Sequence, residues 1–118
     1  MVHIIDDNEY MREILTKLIA LFGYDATAFS CPVEYLDYVK SPDYQRPFVI
    51  ITDVRMPKMT GFEMMAAIRE YYPDQEFVVI SGYSEERNAS EMKIYQYISK
   101  PFRPEEIKRV VTALAKSH

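Results

Sequence analysis

The sequence predicts an α/β fold in which a five-stranded parallel sheet carries helices on both faces. Two observations predict it. Short apolar runs alternate with segments of helical periodicity in the order βαβαβαβαβα. Two of those runs, over residues 48–52 and 77–80, are almost unbroken Val, Ile and Phe, as expected of strands covered on both sides. Right-handed crossovers between parallel strands then distribute the helices over both faces.

The elements follow in order. A first strand over residues 2–5 leads to a helix whose Met11, Ile14, Leu15, Leu18, Ile19 and Phe22 form one apolar stripe, with Gly23 placed to stop it. A second strand, about 25–29, precedes a short helix with Ser30 as its expected N-cap, Pro32 in its first turn, and Leu36 and Val39 facing inward. Residues 40–47, with two prolines among polar residues, read as a loop. After the third strand, Thr60 and Glu63 have capping-box spacing and open a helix that runs to Tyr72, where Pro73 closes it. The fourth and fifth strands, 77–80 and about 95–99, are joined by a stretch only just long enough for a parallel crossover, so a short helix is expected over 85–93. The last helix starts near Pro104 with Glu105 and Glu106 in its first turn, and buries Ile107, Val110, Val111 and Leu114.

Composition bounds the function. A chain of 118 residues suits one domain, here 1–118, with a core of useful size. The net charge of −4, with Lys and Arg scattered, argues against a nucleic-acid or anionic-membrane surface. Cys31 is the single cysteine, which excludes an intrachain disulfide or a thiolate metal site and is compatible with a reducing cytoplasm. No apolar run approaches the ~20 residues that span a bilayer, and the first residues are unlike a signal peptide. The expectation is a cytoplasmic domain.

Polar residues stand where the apolar runs end. Asp6 and Asp7 follow the first run, Asp53 the third, Ser81 the fourth and Lys100 the fifth. Ligands of open parallel sheets bind beyond the carboxyl ends of the strands, so three carboxylates, a hydroxyl and an ammonium should meet on one rim. Taken singly, each has an ordinary explanation: an Asp pair caps a helix, an Asp before a Pro-containing loop makes a turn. Taken together they suit a hard divalent cation and a phosphoryl group, since close carboxylates repel until a cation relieves them.

The stretches I-I-D-D-N ending at Asn8, I-I-T-D-V-R-M-P-K-M-T-G from Ile50 to Gly61, V-V-I-S-G-Y from Val78 to Tyr83 and Y-I-S-K-P-F from Tyr97 to Phe102 carry a resemblance. Across nearly its whole length the chain resembles the receiver domains of two-component response regulators. That resemblance implies a flavodoxin-like doubly wound sheet with strand order 2-1-3-4-5. It implies that Asp53 is the phospho-acceptor, taking a phosphoryl group from a phosphohistidine to form an acyl phosphate. Asp6, Asp7, Asp53 and the backbone carbonyl of Arg55 would hold Mg²⁺, with Mn²⁺ as the alternative. Lys100 and Ser81 would meet the phosphoryl oxygens, and Lys100–Pro101 would be a cis peptide. Ser81 and Tyr97 would form the switch that alters the face of the fourth helix, fifth strand and fifth helix. Arg55 and Tyr83, each two residues past a site residue, would shield the acyl phosphate from water.

The implied partners are a histidine kinase or histidine phosphotransfer protein, and an output domain or protein. Direct contact with nucleic acid and membrane insertion are not expected, and a phosphorylation-dependent dimer is an option. His3, in a strand, and His118, at the terminus, are poor candidates for an internal donor. The chain departs from the family where Ile94-Tyr95-Gln96 replaces the usual Gly-Ala stretch, and where Arg103 stands at a common Asp N-cap position. Three rivals compete. An aspartyl phosphatase would want a carboxylate where Arg55 stands. A flavin or nucleotide binder would want a phosphate-cradling loop where Asp6 and Asp7 stand. A phosphorylation-independent module would usually lack one of the acids or the lysine. The expectation is therefore an acceptor that assists its own phosphorylation and slow dephosphorylation, not a dedicated enzyme. It is either a stand-alone regulator or the receiver of a longer protein.

Overall fold

The computed structural model describes residues 1–82 and 93–117. Its elements are β1 (Val2–Ile5), α1 (Glu9–Leu21), β2 (Ala26–Phe29), α2 (Pro32–Val39), β3 (Val49–Thr52), α3 (Gly61–Tyr71), β4 (Phe77–Ser81), β5 (Gln96–Ser99) and α4 (Pro104–Lys116). The short helix expected over 85–93 lies outside the described residues except for Lys93, which is not helical. The five strands are all parallel, in the order β2-β1-β3-β4-β5.

Alternation along the strands builds two cores. Val2 and Ile4, Val49 and Ile51, Val78 and Ile80 point to the face covered by Leu15 and Ile19 of α1 and the Ile107, Val110, Val111 and Leu114 stripe of α4. Ile5, Ile50, Phe77 and Val79 point to the other face, where Tyr35 and Leu36 of α2 and Met64, Met65 and Ile68 of α3 close over them. The β1, β3 and β4 strands are buried at every position, which is why their sequences lack polar alternation. The edge strands β2 and β5 are partly exposed.

Helix ends follow local chemistry, with one correction. Asn8 caps α1 by accepting the Met11 N–H at 3.0 Å. Thr60 and Glu63 make both bonds of a capping box at α3, at 3.1 and 2.9 Å. The N-cap of α2 is Cys31, not Ser30. Pro32 takes the first helical position and holds the residue before it extended, so the cap falls on Cys31, which offers no side-chain bond.

His3 sits one strand step from the α1-side residues and therefore faces α2. It is buried, and its Nδ1 lies 2.8 Å from the Tyr35 hydroxyl, which lies 2.8 Å from the Tyr44 hydroxyl. Phe29 and Tyr38 pack edge-on or tilted against this set. Burial, helped by the positive chain terminus, lowers the His3 pKa to about 4, so the ring is neutral at physiological pH.

Register carries the site. Ile5 pairs with Phe29 and Thr52, Thr52 with Val79, and Ser81 with Ser99. Continuing these pairings sets Asp6 and Asp53 level, Ser81 one step higher and Lys100 one step beyond that. The long lysine side chain is then the one able to fold back over the carboxylates.

Candidate functional site

The β1 end is held tightly. The Asp6 N–H stays on the ladder, donating to Phe29 O at 3.1 Å, and the Asp6 carbonyl accepts from the Arg12 guanidinium at 2.9 Å. The Asp6 carboxylate accepts the Asn8 N–H at 2.8 Å. Asp6 is buried while Asp7, its neighbour, is exposed.

The β3 end delivers Asp53. Its N–H donates to Ile5 O at 3.2 Å, which extends the β1–β3 ladder by one bond. Its Oδ1 accepts the Val54 N–H at 2.6 Å, and its Oδ2 accepts from Lys100 Nζ at 3.0 Å. Backbone and ammonium together hold the carboxylate in one orientation. Thr52 Oγ1 donates to the Asp53 carbonyl at 2.8 Å. The first residue of α3 comes very close to that carbonyl: a Cβ on Gly61 would stand 2.2 Å from Asp53 O. The Gly61 N–H donates to Val54 O at 2.8 Å, locking the start of α3 to the residue after Asp53. Only a residue without a Cβ permits this approach. In the same loop Lys58 has φ 74°, a left-handed conformation that costs a non-glycine residue roughly 1 kcal/mol.

The other two strands supply the hydroxyl and the ammonium. Ser81 is buried at the end of β4, and its carbonyl accepts the Lys100 N–H at 3.0 Å. The Lys100–Pro101 peptide bond is cis. Tyr97 lies on β5 opposite Val79, partly buried against the α2–α3 side of the sheet, while Ile98 faces the other core. Arg55 is exposed in the loop after Asp53. Tyr83 lies outside the described residues.

Electrostatics select the ligand class. Asp6, Asp7 and Asp53 each offer a carboxylate oxygen, all within 4.8 Å of one another. Burial raises the pKa of Asp6; the Asn8 bond opposes this, the charges of Asp53 and Asp7 add to it, and Lys100 works against it. One ammonium against three carboxylates leaves an excess of negative charge. All the side-chain ligand atoms are hard oxygens, the donor set of Mg²⁺ or Mn²⁺ rather than of a thiophilic metal. The residues present fit such an ion.

The structure thus brings Asp6, Asp7, Asp53 and Lys100 together, with Ser81 adjoining Lys100 through the backbone. Three contributors were not singled out by the sequence. Asn8 looks like an ordinary N-cap and Arg12 like an ordinary early residue of an amphipathic helix, and neither bears a pattern that points to Asp6. Gly61 is visible as the glycine closing the Asp53 loop, but its closeness to the Asp53 carbonyl exists only in three dimensions.

Comparison with known proteins identifies the family and the fold. The family of the response regulator receiver domain matches residues 2–112. The DNA-binding transcriptional regulator NtrC of Proteus hauseri is 29% identical over 118 residues, covering 94% of this chain and 24% of that protein. The hydrogenase transcriptional regulatory protein HoxA of Bradyrhizobium diazoefficiens is 30% identical over 112 residues, covering 92% of this chain and 22% of that protein. The chain therefore spans about a quarter of the length of these curated relatives. Among solved structures, a response regulator receiver domain protein from Clostridium thermocellum superposes with a TM-score of 0.88 at 20% identity, covering 98% of this chain and 94% of that one. The chemotaxis protein CheY4 of Vibrio cholerae superposes with a TM-score of 0.84 at 24% identity, covering 96% of each chain. At these identities the two structures speak to the fold alone.

Proposed function

This chain belongs to the family of response regulator receiver domains, and we propose that it is a Mg²⁺-dependent phosphoryl acceptor. It takes a phosphoryl group from the phosphohistidine of a histidine kinase or histidine phosphotransfer protein. The observation that carries the reading is the Asp53 carboxylate, oriented by the Val54 N–H, paired with Lys100 and set among the acids of β1.

An Asp53 oxygen attacks phosphorus in line, the phosphorus–nitrogen bond of the donor breaks, and the imidazole leaves with the bonding pair and takes up a proton. The product is an acyl phosphate on Asp53. When bound, Mg²⁺ supplies charge neutralisation at the phosphoryl oxygens, and Asp6, Asp7, Asp53 and the Arg55 backbone carbonyl are the groups that would hold it. Lys100 exchanges part of its hold on Asp53 for a phosphoryl oxygen, so its charge is in place before transfer begins. Ser81 donates a hydrogen bond to another of these oxygens. Arg55 and Tyr83 would slow hydrolysis of the acyl phosphate; an unchanged decay rate in both Arg55→Ala and Tyr83→Ala would set that role aside.

The switch runs through Ser81 and Tyr97. As Ser81 turns to the phosphoryl group, Tyr97 moves inward. The surface made by β5, α4 and the segment before β5 then changes its affinity for a partner, which includes a second copy of the chain as one option. The relatives are named as transcriptional regulators and are about four times as long. The output is accordingly a transcriptional one, delivered by another domain or protein and not by direct contact of residues 1–118 with nucleic acid. The protein acts in the cytoplasm. Among the described residues, no helix is long and apolar enough to cross a membrane.

The test is incubation with Mg²⁺ and a small-molecule phosphodonor, followed by intact mass. A gain of one phosphate that disappears with Asp53→Asn or with chelator is expected. No gain under these conditions would put the acceptor reading aside in favour of a phosphorylation-independent interaction module.

A further inference from the structure

The peptide joining Asp6 to Asp7 is the first one beyond β1, and its carbonyl has left the ladder. It accepts a hydrogen bond from the Arg12 guanidinium at 2.9 Å. Three features make this contact more than a surface bond. Arg12 lies in the first turn of α1, where the helix dipole disfavours a cation. Glu9 and Glu13 line the same groove as Arg12. Among the described residues the guanidinium nevertheless hydrogen-bonds the neutral Asp6 carbonyl and makes no ion pair.

We propose that Arg12 is a positioning residue of the acidic site: it fixes the plane of the Asp6–Asp7 peptide and so holds Asp7 where its carboxylate can share a cation with Asp6 and Asp53. This rests on reading the site as a Mg²⁺ site. Asp6 needs less help, since it is buried and takes the Asn8 N–H. Asp7 is exposed and lies beside two other carboxylates, with all three offering oxygens within 4.8 Å of one another. Repulsion drives the most exposed of them outward. A rotation of the Asp6–Asp7 peptide is the simplest way for it to go, and the Arg12 bond resists that rotation. Loss of a group that orients a metal ligand typically costs about 10–100-fold in metal affinity.

The experiment is calorimetric titration of the full chain with Mg²⁺, beside metal-free thermal unfolding, for wild type, Arg12→Met, Arg12→Lys, Asp7→Asn and the Arg12→Met/Asp7→Asn double variant. Arg12→Met is expected to weaken Mg²⁺ about tenfold at temperatures where it is fully folded, and Arg12→Lys to recover most of that loss. In the double variant the two losses should not add, because Arg12 acts through Asp7. A merely structural arginine would lower the unfolding temperature and leave the affinity of the folded protein unchanged. Should Arg12→Met not fold, Arg12→Gln is titrated in its place. Mg²⁺ affinity within about twofold of wild type, or losses that add with Asp7→Asn, overturns the role of Arg12 alone. A wild-type chain that does not bind Mg²⁺ overturns the site reading and this role together.

Discussion

Replacing Gly61 by Ala sets two physical effects against each other. Gly61 opens α3, its φ is not in the left-handed region, and helix propensity alone makes Ala the better residue by about 0.5–1 kcal/mol. Packing makes the opposite claim. The new Cβ would meet Asp53 O at 2.2 Å, Asp53 C at 3.2 Å and Val54 Cα at 3.3 Å, all backbone atoms. A carbon–oxygen contact normally rests at about 3.3 Å, so roughly 1 Å must open. Neither side yields easily. The Asp53 carbonyl is held by Thr52 Oγ1, and the helix start by the Gly61–Val54 bond and the capping box. Overpacking costs about 1–3 kcal/mol; a 2.2 Å contact with a held backbone atom lies toward the upper end, so a net loss of about 2 kcal/mol remains after the propensity gain. If Asp53 is the acceptor as proposed, a displacement of about 1 Å there should also slow phosphorylation by about 100-fold. Urea unfolding gives the first quantity, and intact-mass kinetics with a small phosphodonor and Mg²⁺ the second. A Gly61→Ala variant at least as stable as wild type and phosphorylated at the same rate would refute the close-approach argument.

Other outcomes follow from the same contacts. The folded protein keeps His3 neutral down to about pH 4, whereas the unfolded chain protonates it near pH 6.5. The stability tied to His3 is therefore full above pH 6.5 and drains away as pH falls toward 4, a loss of about 3 kcal/mol. Urea unfolding between pH 7 and 4, taken as wild type minus His3→Phe, should show that slope; a flat difference contradicts it. Lys100→Met should reduce the phosphorylation rate by roughly 10²–10³-fold, as expected when one preorganised donor is lost; a rate within a factor of a few of wild type would remove Lys100 from the chemistry. Mg²⁺ at ~100 times its dissociation constant should stabilise the chain by about 2.7 kcal/mol by mass action. Thermal unfolding with and without chelator tests this, and the shift should shrink in Asp7→Asn. Thr60→Ala removes the α3 cap and should cost about 1 kcal/mol, read from the denaturant midpoint.

Much of the fold was legible because its signals are local. The Met11-to-Phe22 stripe, the T-x-x-E spacing at Thr60 and the unbroken apolar runs each report a helix or a buried strand within a dozen residues. The misplaced cap of α2 has an equally local reason: Ser30 is the better capping side chain, but Pro32 at the first helical position set the boundary one residue later. The strand order came from the resemblance to receiver domains, since apolar runs do not say which run lies beside which.

At the rim, residue order alone sets which groups the strand ends carry: Asp6 and Asp7, Asp53, Ser81 and Lys100. That follows from where each apolar run stops, a one-dimensional property. The tertiary structure alone decided the contacts that make the rim specific: the Arg12 bond to the Asp6 carbonyl, the approach of Gly61 to the Asp53 carbonyl, and the chain of hydroxyls from His3 to Tyr44. These involve backbone carbonyls and polar side chains whose partners depend on strand register and on the exact height at which a helix begins. Periodicity conveys which face a residue takes, but not the last few ångströms that decide what it touches.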